Sequence, residues 1–419
     1  AMNLLAGPRG RLVLFTTLYA AEGAPIGLLW WALPTLLRRR GVPIESITAL
    51  LATLVLFWTF KILWAPLVDS LRGRRWGLRA WIATSQAVMA AALLPLAWLD
   101  LEASFPLVAA LLALHSFAAA TQDVAVDALA IRAVEPSRRG ALNGWMQAGM
   151  LLGRATFGGG TLWIEARWGL AAVVAGIVLL LVASLALVLF VDERSLPEAA
   201  RDPASGRSRL QVFARTLREA FARPATWSGL AFALVAAAAF EAAGALAGPL
   251  LVDRGVGQET IGLFFGLPAA ALMLLGALAG GTLADRGRRR ATLAGALLGV
   301  VASVLLLAAL DAGGASSPRF LLAPLAAMYL FVGAFTAVSY AAFMDLTDPR
   351  LGATQFSTFM AATNGCEAWA TAAGGVLAAR VGYPAALAAL STVSLAALSL
   401  VPALTATGDR SRGRPRARA

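Results

Sequence analysis

The chain has 419 residues, 59% of them hydrophobic and 14% charged, with a mean hydropathy of +0.74. A soluble domain of that length needs far more polar surface, so a soluble fold is excluded. The net charge of +12 raises nucleic acid as a partner, which the placement of the basic residues argues against.

Apolar runs long enough to cross the ~30 Å hydrocarbon core recur along the whole length. The expected fold is an all-α polytopic membrane protein with twelve spans at 12–37, 47–68, 78–99, 105–131, 141–163, 169–191, 226–251, 258–284, 291–310, 319–345, 352–379 and 384–405. With both termini and the loops after the even-numbered spans on one side, that side holds 26 of the 35 Lys and Arg, and the other holds 7. The positive-inside rule then makes both termini cytoplasmic and turns the basic balance into a topology signal. The first run is too long for a signal peptide and reads as span 1. A single cysteine, Cys366, excludes an internal disulfide, and one histidine, His115, with that cysteine makes no zinc set. The only lysine, Lys61, is in no phosphate-binding loop. No nucleophile–base pair stands out, so the expectation is no enzyme and no cofactor.

Span 1 carries Glu22 near the bilayer midplane, beside Pro25 and a Gly23-x-x-x-Gly27 pattern that lets another helix approach closely. A membrane carboxylate is costly, and it reads either as a solute or proton site or as a group tied to a neighbouring helix. Lys61, within span 2, reads either as an anion or carboxylate partner or as a side chain reaching for the cytoplasmic interface. Span 4 holds His115, a candidate for plain packing, then Asp123 and Asp127 one helical turn apart. Asp123 is the deeper and faces the expected path. Asp127, with Arg132, Arg138 and Arg139, belongs to an expected inner-face latch. Arg154 lies deep in span 5 beside Gly149-x-x-x-Gly153 and needs a carboxylate or an anionic solute. Residues 192–224 form a polar linker whose Leu210, Phe213, Leu217 and Phe221 recur at helical spacing, either an amphipathic helix on the inner leaflet or a solvated one.

In the second half Glu241 is a loose counterpart of Glu22. Tyr340 lies in span 10, and Asn364 and Glu367 in span 11. The tail at 406–419 is basic. Three segments repeat at nearly constant offsets. Asp69 to Arg75 matches Asp285 to Arg290, Pro34 with the following R-R-R-G-V-P-I-E-S-I matches Pro249 with V-D-R-G-V-G-Q-E-T-I, and Gly140 matches Gly352. The chain thus reads as two six-helix halves, 1–191 and 225–405, the parallel-repeat plan of many transporters.

At D-x-x-x-G-R-R after span 2 and D-R-G-R-R-R after span 8 the sequence resembles the major facilitator superfamily. The resemblance implies that Asp69, Arg74, Arg75, Asp285, Arg288 and Arg289 brace the cytoplasmic helix ends as gating residues. Four further segments, F-K-I-L-W-A-P-L-V-D (60–69), A-T-Q-D-V-A-V-D-A (120–128), R-R-G-A (138–141) and G-A-T-Q-F-S (352–357), resemble the AmpG-like muropeptide permeases and related acetyl-CoA transporters. Typical AmpG proteins carry a further pair of helices beyond the twelve spans expected here. The resemblance implies a proton-driven secondary transporter of the bacterial inner membrane importing a peptidoglycan fragment, an acyl-CoA or a siderophore. Export of amphipathic compounds and a non-transporting assembly factor are the other readings. The expected partners are the lipid bilayer, a small-molecule solute and protons, with no nucleic acid, and the protein is expected to be a monomer. The candidate solute and proton residues are Glu22, Lys61, Asp123, Arg154, Glu241, Tyr340, Asn364 and Glu367.

Overall fold

The computed structural model describes residues 3–70, 76–134, 139–193, 218–219, 222–314, 317–347 and 352–404, and these are helical nearly throughout. In chain order the helices are α1 (Pro8–Gly27), α2 (Leu33–Arg39), α3 (Ile44–Phe60), α4 (Ala65–Ser70), α5 (Leu78–Leu93), α6 (Phe105–Ala133) and α7 (Arg139–Leu189). They are followed by α8 (Pro224–Val235), α9 (Ala238–Asp253), α10 (Gln258–Phe264), α11 (Ala270–Leu283), α12 (Arg289–Ala312), α13 (Leu322–Leu346), α14 (Gly352–Val381) and α15 (Tyr383–Ala396). Nine helices among the described residues are long and apolar enough to cross a membrane. The expected second span is represented by the shorter apolar helix Ile44–Phe60. The expected fifth and sixth share one continuous run, Trp145–Leu189, turned at Gly169. There φ is +76° and ψ is 171°, a conformation open to glycine, so the expected loop shrinks to a single residue.

Several spans are interrupted, and proline explains some of the breaks. α3 stops at Phe60, a short 3₁₀ turn covers Lys61–Leu63, and α4 begins at Ala65. Proline at 66 has no N–H for the ladder, so an uninterrupted helix would lose a backbone bond there. The π-helical turn Leu28–Ala32 lies between Pro25 and Pro34, and another, Phe265–Ala269, contains Pro268. Span 7 breaks at Ala236–Ala237 without proline or glycine.

By packing, the chain divides into two compact units, Ala1–Arg201 with Gly248–Leu267, and Asp202–Ala247 with Pro268–Ala419. In the first unit the glycine patterns of α1 and α7 are the crossing point of those helices. A Cβ on Gly23 or Gly27 would strike the backbone of Met150 or Arg154, and one on Gly149 or Gly153 would strike that of Thr16 or Ala20. Backbones this close are what small residues buy in lipid, where no hydrophobic force draws helices together. The core beneath contains Leu14, Phe15, Leu18, Leu78, Ile82, Val126, Leu129 and Val188. In the second unit Gly276 and Gly280 pack against Leu330 and Ala334. Phe232, Phe335, Phe343 and Phe359 fill its core, the last two rings stacked at 5.0 Å. Large apolar side chains such as Leu179, Leu267 and Trp98 point outward, as a lipid-facing surface requires.

Candidate functional site

The α1–α7 crossing brings a charged cluster into the first unit. Tyr19 and Glu22 are one turn apart on α1, Asp123 and Asp127 one turn apart on α6, and Arg154 rides on α7, whose backbone meets Gly27. Lys61 is the first residue of the turn that interrupts span 2. Its ammonium donates to Asp123 Oδ2. The Tyr19 hydroxyl donates to Asp127 Oδ1 at 2.6 Å. Glu22, 2% exposed, lies within electrostatic reach of Asp123, Lys61, Asp127 and Arg154. Its Oε2 has no hydrogen-bond partner among the described residues, and neither amide atom of the fully buried Gln122 has one. Fully ionised, the cluster's three carboxylates outnumber its two cations. An uncompensated charge is expensive in a low dielectric, and one bound proton cancels it. The arrangement can therefore hold and release a proton, and it can offer both charge signs to a solute.

In the second unit Glu241 occupies the first turn of α9. Cys366, fully buried, lies within electrostatic reach of both Glu241 and Glu367. Asn364 sits one turn before Glu367 on α14, half-buried. Tyr340 sets its ring edge-on against Phe356 at 6.4 Å.

The structure thus brings Glu22, Lys61, Asp123, Asp127 and Arg154 together. Asp127, assigned from its sequence position to the inner-face latch, is a member of this cluster through Tyr19. His115 is packed against α5, its Nδ1 3.2 Å from the Met89 carbonyl. Of the expected gating residues, Arg74, Arg75 and Arg138 lie outside the described residues. Asp69 ends within α4, Arg139 opens α7, and Asp285 belongs to the π-helical turn Ala284–Arg288, which Arg288 closes with its side chain exposed. Arg289 pairs with Asp345, joining the start of α12 to the end of α13.

Sequence reasoning missed Tyr19, whose partner is 108 residues away. It also missed a set of ion pairs at the expected outer face. Arg38 holds Asp253 with two bonds of 2.7 and 2.9 Å, Arg40 meets Glu165 at 2.7 Å, and Arg167 meets Glu259 at 3.0 Å. Gln258 donates to Glu165 and to the Leu162 carbonyl. The repeat was the available signal for the first of these pairs, because Asp253 in V-D-R-G stands at a position matching the R-R-R-G run that holds Arg38.

Comparisons with known proteins follow the same lines. The chain is 26% identical over 171 residues to the anhydromuropeptide permease of Escherichia coli (strain K12), covering 40% of this chain and 34% of the permease. It is 27% identical over 183 residues to the putative transporter AmpG 4 of Rickettsia conorii, covering 42% of this chain and 44% of that one. The chain thus matches less than half the length of either relative. Among solved structures it resembles an inward-facing bacterial homolog of the human lysosomal transporter Spinster, with a TM-score of 0.75 and 16% identity, over 98% of this chain and 100% of the other. It also resembles a D-xylose-proton symporter, with a TM-score of 0.73 and 11% identity, over 93% and 96%. The family model for the Major Facilitator Superfamily matches residues 15–280 and 242–419. This multi-pass membrane protein belongs to the Major Facilitator Superfamily.

Proposed function

We propose that the chain is a proton-coupled transporter that imports a polar organic solute across the bacterial inner membrane by alternating access, with a peptidoglycan fragment as the first candidate. The observation that carries this reading is the cluster of Tyr19, Glu22, Lys61, Asp123, Asp127 and Arg154, buried at Tyr19, Glu22 and Asp123 and half-buried at the rest. A scaffold gains nothing from so many charges inside the membrane, whereas a transporter needs groups that exchange partners. Glu22 is the proposed proton carrier, because it is the most buried carboxylate of the cluster and keeps an oxygen without a partner. Lys61 and Arg154 are the groups to which an anionic solute binds in competition with the carboxylates. In this reading Arg138, Arg139, Arg288 and Arg289 serve gating at the inner face, and Asp127 serves with the cluster that it joins through Tyr19.

The solute class leans on the named relatives, so acyl-CoA and siderophore transport stand as alternatives to be measured side by side. In liposomes with an imposed proton gradient, acid outside, uptake of labelled anhydromuropeptide, acyl-CoA and ferric siderophore is compared for the parent protein and for Glu22→Gln. Gradient-driven accumulation of one solute by the parent, lost in Glu22→Gln while counterflow exchange persists, is the expected result. Accumulation that ignores the proton gradient, or survives intact in Glu22→Gln, refutes the assignment of the carrier.

A further inference from the structure

The seventh span breaks between α8 and α9 at Ala236–Ala237, about twelve residues into the span and so near the bilayer midplane. The sequence here, Leu234-Val-Ala-Ala-Ala-Ala-Phe240, is made largely of the strongest helix former. Left to its propensity it runs straight. Kinks without proline or glycine arise where side chains enter the i→i−4 ladder, and three do so here. The Leu234 carbonyl accepts the Trp369 indole N–H at 2.8 Å. The Ala239 N–H donates to Ser394 Oγ at 2.9 Å. The Ala237 backbone amide is hydrogen-bonded to Cys366. Trp369 and Cys366 come from α14 and Ser394 from α15, and all three residues lie in the second unit, as does the break. Ser394 and Cys366 are fully buried. Backbone groups freed in hydrocarbon are costly, so this break persists because those side chains satisfy it.

We propose that Trp369, Cys366 and Ser394 are positioning residues that hold span 7 broken, so that α9 begins in mid-membrane with Glu241 in its first turn. A helix N-terminus there favours an anionic side chain, a setting Glu22 lacks in the middle of α1. Glu241 therefore sits in a differently built place from its counterpart. Its use in transport rests on the reading under Proposed function, whereas the break is tested without any transport.

Cys366 is the chain's single cysteine, so alkylation reports on the break directly. In detergent-purified protein, the rate of N-ethylmaleimide modification is compared for the parent, Trp369→Phe, Ser394→Ala, Ser394→Thr and Ser391→Ala. Ser391 lies one turn from Ser394 on α15, equally buried, and its hydroxyl has no partner among the described residues. Leaving a buried backbone group unpaired is expected to raise the opening equilibrium about 5- to 150-fold, and the alkylation rate with it. The expected result is that rise in Trp369→Phe and Ser394→Ala, with parent-like rates in Ser394→Thr and Ser391→Ala. Carbodiimide adduct on Glu241, read by mass spectrometry, rises in the same two variants. Equal rates in all five proteins, or a rise in Ser391→Ala as large as in Ser394→Ala, overturns the proposal. Should Ser394→Ala not fold, Trp369→Phe, which keeps an aromatic ring but removes the indole N–H, carries the test alone. Failed transport with a normal alkylation pattern would count against the proposed function only.

Discussion

At the scale of single residues, the Lys61–Asp123 pair decides how the first-unit cluster is held. A buried pair is weak evidence of net stabilisation, because desolvation of both charges offsets their attraction. Removing one partner is a different matter, since it strands the other charge. Lys61→Met is therefore expected to cost on the order of 3 kcal/mol, toward the lower end for buried pairs because the Lys61 side chain keeps 32% exposure. Asp123→Asn should cost a similar amount, and the double variant much less than the sum. Thermal unfolding of the four proteins in one detergent gives the coupling energy, and additive losses would mean the pair contributes nothing. Tyr19→Phe asks the same of Asp127. It deletes one charge-assisted bond without creating a large cavity and is expected to lower stability by about 1.5–3 kcal/mol.

At the scale of elements, the α1–α7 crossing sets where Glu22 and Arg154 stand. Gly153 lies where a Cβ would strike the Ala20 carbonyl, whereas a Cβ on Gly160 meets nothing within 4 Å. Gly153→Leu should separate the helices at a cost of about 1–3 kcal/mol or more. Gly160→Ala should stabilise by about 0.5–1 kcal/mol, since alanine loses less chain entropy in a helix. Melting temperatures of the two variants against the parent are the check, and a crossing that tolerates leucine at 153 would displace the packing argument. The elements were legible in the sequence wherever apolar length alone makes a helix, which in a membrane is most places. The turn at Lys61 was foreshadowed only by Pro66. The break at Ala236–Ala237 was not foreshadowed at all, because local propensity there points to a continuous helix and side chains well over a hundred residues away reverse it.

At the scale of the whole molecule, the internal repeat, the glycine crossings and the charged spans were all readable. Pairings were not, because periodicity says which face a side chain takes and not what it meets across the bundle. Glu22, Lys61, Asp123 and Arg154 stood out one by one as costly residues, and only the fold joins them through Tyr19 and Asp127. The outer ion pairs show the same limit. Arg38, Arg40 and Arg167 counted merely as exceptions to the positive-inside balance, yet they hold Asp253, Glu165 and Glu259. Arg38–Asp253 and Arg167–Glu259 tie Gly248–Leu267, a stretch belonging by sequence to the second repeat, into the unit built from the first. Arg40–Glu165 reaches that stretch only through the Gln258 bond to Glu165. The pairs are partly exposed, so each is worth at most about 1 kcal/mol singly, and their contribution is expected to come from acting together. Arg40→Glu places a like charge beside Glu165, the carboxylate to which Gln258 donates, and is predicted to lower the melting temperature at ~0.1 M salt. Combining it with Glu165→Arg should restore most of the loss. At ~1 M salt, where the screening length falls to ~3 Å, the Arg40→Glu penalty should shrink. If the single and double variants melt alike at both salt concentrations, the Arg40–Glu165 pair and the Gln258 bond beside it are not what holds residues 248–267 in place, and Arg38–Asp253, Arg167–Glu259 and the glycine contacts of Gly248 with Thr35 and of Gly262 and Gly266 with Gly159 are the remaining candidates.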